Sequence, residues 1–270
     1  MEINNWKEIL VPYEQAVDEL KIKFKSIGYQ YGKMDKYSPI EFVTGRVKKI
    51  SSIIEKANKK GIPLENVQNE MDDIAGIRIM CQFVEDIDKV VKLVRSRDGI
   101  DMCIIEEKDY INNTKASGYR SYHILIKYPV ITAMGKKEIS AEIQIRTLAM
   151  NFWATIEHSL KYKYKKNMPM DVQERLVKAA EAAYLLDKEM SEIHGEIITA
   201  QELFRTKSNI VADILNNIQN LYYKADVEEM GAIQQKFMDL WQEGDVANLQ
   251  QFNQQLDIMA ELYRVQSVSK

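Results

Sequence analysis

Residues 138–146 alternate without a break. Glu138, Ser140, Glu142, Gln144 and Arg146 leave on one side, and Ile139, Ala141, Ile143 and Ile145 on the other. Successive side chains of a strand point to opposite faces, so the pattern demands a sheet with one packed face and one polar face. A helical repeat would scatter these isoleucines around its whole surface. Residues 119–128 repeat the arrangement, with Tyr119, Ser121 and His123 against Tyr122, Ile124 and Ile126. If the two strands are neighbours, a carboxylate, an amide, an imidazole and an aromatic ring meet on one surface.

The surroundings read as helical. Trp6, Ile9, Leu10, Tyr13, Val17, Leu20 and Phe24 recur at helical spacing over residues 4–27. Ser38-Pro39-Ile40-Glu41 places Ser, Pro and Glu where a helix start wants them, and predicts a second helix to about residue 60, ended by Gly61 and Pro63. Residues 73–83 read as a strand, 84–97 as a helix, 102–106 as a brief strand and 112–118 as a loop. Helices follow over 148–165 and 171–204, separated at Asn167-Met168-Pro169. From Ser208 onward the chain is rich in Gln and Asn but keeps apolar spacing, and Gly231 and Gly244 suggest two or three helices. The expected fold class is α/β: a small sheet flanked by helices over residues 1–207, then a helical extension over 208–270.

Charge follows the same division. Residues 208–270 hold four Lys and Arg against nine Asp and Glu, so the acidic excess lies in the extension and the remainder is mildly basic. There is no broad nucleic-acid footprint, and anion binding must come from local clusters. No apolar run approaches the roughly 18 residues needed to cross a bilayer, and the first residues lack a signal-peptide pattern, so a cytoplasmic protein is expected. Cys81 and Cys103 lie in apolar, strand-like runs and read as buried, reduced thiols. Three histidines without ligand spacing give no zinc site.

Neither glycine-loop nucleotide fingerprint is present. Cationic side chains must therefore hold any phosphate. Arg46, Lys48, Lys49, Lys56, Lys59 and Lys60 gather along the second predicted helix, where they could equally be a solvated face. Asp72-Asp73 opens the 73–83 strand, with Arg78 inside it. Strict alternation puts Asp73 and Arg78 on opposite faces unless a loop or bulge intervenes at Asp73.

Taken together, five stretches resemble the synthetase domain of the RelA/SpoT family, and more narrowly the small alarmone synthetases of the RelQ type. They are residues 38–48, 73–80, 117–123 and 142–147, and the run Met150-Asn151-Phe152-Trp153-Ala154-Thr155-Ile156-Glu157-His158. The resemblance covers about residues 1–207. It implies a nucleotidyltransferase-like fold around a small mixed sheet. It also implies Mg²⁺-dependent transfer of the β,γ-pyrophosphate of ATP to the 3′-hydroxyl of GDP or GTP, making ppGpp or pppGpp and leaving AMP.

The resemblance assigns roles by position. Asp73 and Glu142 would bind Mg²⁺, with Glu142 also the base. Arg46 and Arg78 would sandwich adenine, a task suited to a planar guanidinium. Lys48, Lys56 and Lys59 would meet ATP phosphates, with Lys59 or Lys60 standing where the family has arginine. Tyr119 would stack on guanine, with Lys115, His123 and Gln144 lining the acceptor site. RelQ-like enzymes form homotetramers with a pppGpp cleft, matched here by Lys21, Lys25, Phe42, Thr44 and Asn151, and single-stranded RNA is a further partner implied. The His-Asp pair of the family's hydrolase does not occur, so alarmone hydrolysis is not expected. A binding module without catalysis is the competing reading. The extension has no counterpart in the resemblance.

Overall fold

The computed structural model describes residues 3–164, 168–222 and 226–268. Its contacts divide the chain into Met1–Glu192 and Ile193–Lys270. The dividing point falls inside one helix, earlier than the 207/208 step expected from composition.

The first unit begins with helix α1 (Ile3–Lys33), which runs further than its apolar spacing predicts. Strand β1 (Phe42–Val47) and helix α2 (Ile50–Lys60) come next, then a 3₁₀ turn (Leu64–Asn66) and a single helical turn, α3 (Val67–Glu70). The remaining elements are β2 (Ala75–Cys81), α4 (Val84–Arg95), β3 (Cys103–Asp109), β4 (Tyr122–Thr132), β5 (Gly135–Thr147), α5 (Leu148–Tyr164) and the start of α6 (Met170–Leu221). The expected helix end at Lys165 and the break at Asn167 lie outside the described residues.

The five strands lie in the order β1-β2-β5-β4-β3. β2 and β5 are parallel and every other pair is antiparallel. Register aligns Arg46 with Gly76 and Glu142, and Thr44 with Arg78, Gln144 and His123. Since paired residues share a face, these form the polar side. The other side carries Val43, Ile77, Ile79, Ile124, Ile126, Ala141, Ile143 and Ile145, all buried with Tyr13, Val17, Leu20 and Phe24 of α1 in one core that α4 joins. Burying each such side chain contributes roughly 1.5–3 kcal/mol, and that favours this register over any one-residue slip.

The helix expected from Ser38 starts only at Ile50; its expected end holds, with α2 running to Lys60 and Gly61, at φ 68°, closing it. Ser38 instead turns the chain locally, its hydroxyl accepting from the Ile40 N–H and donating to the Ile40 carbonyl. Residues 42–47 become the edge strand β1. Val43 and Gly45 alternate toward α1, and β-branched residues prefer a pleated surface. Gly45 is required there: a Cβ would lie 2.8 Å from Val17 Cγ1 and 2.9 Å from Ile77 Cδ1. Arg46 and Lys48 are thus on and just after a strand, Lys49 immediately precedes α2, and Lys56, Lys59 and Lys60 are helical. Cys103 is exposed, contrary to expectation, because it opens the other edge strand; Cys81 is buried and its thiol pushed well up by that burial.

In the second unit, α6 continues past Ser208 and is followed by α7 (Val227–Glu243) and α8 (Val246–Val268). Ile214, Ile218, Leu221, Met230, Ile233, Leu249, Phe252 and Leu256 make its own core. Asp226 caps α7 by accepting from the Glu229 N–H, and Gly244, at φ 76°, ends it. Gly231 lies within α7 and breaks nothing.

Candidate active site

A cavity of about 310 Å³ opens on the polar face of the sheet. Arg46, Lys48, Asp73, Gly76, Arg78, Glu142 and Gln144 line it, with Thr44, Gly45 and Ile74. Asp73 sits two residues before β2, between bends at Asp72 and Ile74, which removes the conflict with Arg78: the strand's alternation has not yet begun. Gly76 separates Arg46 from Glu142 across the strands and fills none of the space between them.

Asp73 is the centre of a cationic clamp. Lys48 Nζ and Lys56 Nζ both lie 2.6 Å from its Oδ2. Burial pushes the Asp73 carboxyl up, but the two ammonium groups overcome it and hold the group below its usual range. Burial holds Lys48 below the usual lysine range; the pull of Asp73 only partly offsets this, because Lys56 shares the same carboxylate and repels. Oδ1 of Asp73 is buried with no partner.

Glu142 stands on β5 with both oxygens engaged. His123 Nδ1 lies 2.9 Å from Oε1, and Gln144 Nε2 donates to Oε2 at 2.6 Å. Burial opposes ionisation, and His123 and Gln144 outweigh it, so Glu142 lies below the usual carboxylate range; Asp73 is close enough for its charge to act against this. Two neighbouring carboxylates, one with a bare buried oxygen, suit a hard divalent cation that retains water and takes other ligands from phosphate. Among the described residues no group of three His, Cys, Asp or Glu could hold a metal by itself.

The strands carrying the two polar stripes are indeed neighbours. Tyr119 and Ser121 lie just before β4 rather than on it, yet the Tyr119 hydroxyl reaches His123 Nε2 at 2.8 Å. Lys115 Nζ sits 4.9 Å from the Tyr119 ring centre and 4.1 Å from that of Tyr110. The Tyr110 ring stands edge-on to His123 at 5.1 Å. Sequence reasoning gave Tyr110 no role, and nothing in its local pattern marks it. Arg146 was on the polar stripe without a role; its guanidinium reaches Tyr119, Gln144 and Ser121. Burial, then Arg146 and Arg46, lower the Arg78 guanidinium, whose Nε donates to Gln144 at 3.3 Å.

The remaining expected residues are not gathered here. Lys59 pairs with Glu55 at 2.8 Å, side chain 67% exposed, and does not line the cavity. Lys21 pairs with Asp18 at 3.1 Å and packs its stem near Gly45. Lys25 and Phe42 are exposed, and Asn151 Oδ1 is buried without a partner. Of the five residues expected in a regulatory cleft, only Thr44 lines this cavity.

Comparison with known proteins gives a consistent result. Residues 45–167 match the family model described as a region found in RelA / SpoT proteins. The GTP pyrophosphokinase YjbM of Bacillus subtilis is 55% identical over 207 residues, 77% of this chain and 97% of that protein. Crystalline small alarmone synthetase 1 of the same organism, bound to its product pppGpp, superposes with a TM-score of 0.69 at 56% identity, covering 72% of this chain and 99% of that one. A GTP pyrophosphokinase family protein from Streptococcus pneumoniae gives 0.70 at 55%, covering 74% and 98%.

Proposed function

The chain belongs to the RelA/SpoT family of alarmone synthetases, and from that premise we propose that it transfers the β,γ-pyrophosphate of ATP to the 3′-hydroxyl of GDP or GTP. The observation that carries this reading is the cavity itself: a cationic wall around Asp73 faces a hydrogen-bonded Glu142 across one sheet surface.

The donor nucleotide lies along β1 and β2. Arg46 and Arg78 offer planar faces to adenine, and Lys48 and Lys56 meet the phosphate chain. Asp73 and Glu142 are the residues that would hold Mg²⁺, which when bound neutralises charge on the polyphosphate. The acceptor lies over β4 and β5, with guanine on Tyr119 and with Lys115, His123 and Gln144 around it. Glu142 takes the proton of the 3′-hydroxyl as that oxygen bonds to the β-phosphorus. The bond from the β-phosphorus to the α,β-bridging oxygen breaks, and AMP leaves. Two held nucleotides and a pre-ionised base supply the rate mainly through alignment and charge placement.

Residues 1–207 form the catalytic part in this proposal, and 208–270 a separate helical element. Assembly as a homotetramer with pppGpp as activator, through Lys21, Lys25, Phe42, Thr44 and Asn151, is supported by the unpaired outer edge of β1 and by the bare Asn151 oxygen. Single-stranded RNA as a further ligand and a cytoplasmic location belong to the same proposal; no helix among the described residues is long and apolar enough to cross a membrane. The test is to supply Mg²⁺, GDP and ATP labelled at its γ-phosphorus. The label is expected on a guanosine tetraphosphate, and label confined to ATP and inorganic phosphate would contradict the reading.

A further inference from the structure

Arg146 is only 4% exposed, yet among the described residues no carboxylate pairs with it. Its hydrogen bonds go to neutral oxygens: Ser121 Oγ at 3.2 Å from Nε, and the Tyr119 hydroxyl and Gln144 Oε1 each at 2.6 Å from Nη2. A buried charge is costly unless it is compensated. The compensation here is reached through two relays.

An arginine only donates hydrogen bonds. The Tyr119 oxygen therefore accepts from Arg146, and its own hydrogen is directed at His123 Nε2, 2.8 Å away. Nε2 is then an acceptor, so the neutral imidazole carries its proton on Nδ1, which donates to Glu142 Oε1 at 2.9 Å. The second relay is shorter. Gln144 Oε1 accepts from Arg146 and from Arg78, and two donor-only partners fix the amide orientation. Its Nε2 donates to Glu142 Oε2 at 2.6 Å. Both relays leave one arginine nitrogen and end on the two oxygens of one carboxylate.

We propose that Arg146 is a positioning residue whose Nη2 group sets the direction of both hydrogen-bond chains and so holds His123 as its Nδ1–H tautomer against Glu142. The proposal rests on the reading of Glu142 as base. It assigns the buried charge of Arg146 a partner at a distance: each link in the chains polarises the next toward Glu142. It also separates the two sides of Tyr119, whose ring serves guanine while its hydroxyl serves the base.

The experiment reads the His123 tautomer in the full-length protein without substrates, by long-range ¹H–¹⁵N correlation. The chain has three histidines, so His123→Asn assigns the signal by difference. Wild type is expected to show a protonated Nδ1 and a bare Nε2. Arg146→Met removes the donor, and Tyr119→Phe removes the hydroxyl but keeps the ring. Both are expected to mix the tautomers and to lower kcat roughly 10–100-fold, the usual cost of losing a group that orients a catalytic residue. KM for ATP should stay within about twofold, since uniform donor binding is untouched. Arg146→Lys should restore part of the loss, because an ammonium still offers three donors. A wild-type Nε2–H tautomer, or a tautomer unmoved in both variants, overturns the proposal; if Arg146→Met does not fold, Tyr119→Phe decides it. An inactive protein with the expected tautomer overturns the reaction but keeps the chains, and an active one with the opposite tautomer does the reverse.

Discussion

Lys48 Nζ lies 2.6 Å from Oδ2 of Asp73 and leaves Oδ1 of the same carboxylate buried and bare. Lys48, together with Lys56, engages one oxygen of the carboxylate and leaves the other without a partner. Asp73→Asn keeps the shape and removes the charge. It is expected to abolish the Mg²⁺ dependence of synthesis and to lower kcat by more than about 100-fold. Titration of activity against Mg²⁺ checks this; an unchanged half-saturation would contradict the assignment.

The same clamp has a pH signature. The folded Asp73 carboxyl lies below its ordinary value. Its contribution to stability is therefore present above the unfolded value near 3.8 and is lost as pH falls through the lower folded value. Asp73→Asn should cost stability at pH 7 and progressively less as the pH falls below about 3.8, measured by denaturant midpoints.

Asp187 carries the opposite sign. It is buried on α6, accepts from Thr147 Oγ1 at 2.6 Å, and is pushed up to about 6 by that burial, which Thr147 and the more distant Arg120 only partly offset. The folded state binds the proton more tightly than the unfolded chain, so stability falls as pH rises from about 3.8 to about 6 and stays lower above. Asp187→Asn removes the ionisation cost and is expected to stabilise the protein at pH 8 by about 2 kcal/mol, with little effect at pH 4. A Tm lower than wild type at pH 8 would contradict it.

Lys56 and Lys59 are one turn apart on α2 but face different partners, Asp73 and Glu55. Lys56→Ala is expected to raise KM for ATP about tenfold or more through the lost charged contact. Lys59→Ala should change it less than about twofold, as exposed pairs contribute little. Equal effects would place Lys59 at the phosphates after all.

The period-two pattern of β5 made the sheet legible, because one buried face leaves no freedom of register. The edge strand β1 was not legible. Ser38-Pro39-Ile40-Glu41 satisfies every local rule for a helix start, and the deciding term is tertiary: Gly45 must pass under Val17 of α1. Asp73, Arg78, Glu142, Gln144, His123 and Tyr119 could be named from stripes and from family resemblance. Tyr110 could not, since its signals are spatial, contacts of its ring with His123 and Lys115. Gly45→Val tests the account of β1. It is expected to destabilise the fold by about 1–3 kcal/mol through overpacking, read as a shifted urea midpoint.

The central claim is that Glu142, held ionised by His123 and Gln144, serves as base for transfer of an intact pyrophosphate. The most direct measurement is product stoichiometry with Mg²⁺, ATP and GDP, resolved by anion-exchange chromatography, for wild type beside Glu142→Gln. The account predicts AMP and ppGpp in equal amounts from wild type, and a rate lower by roughly 100–10,000-fold in the variant. ADP in place of AMP, or a variant as active as wild type, would contradict it.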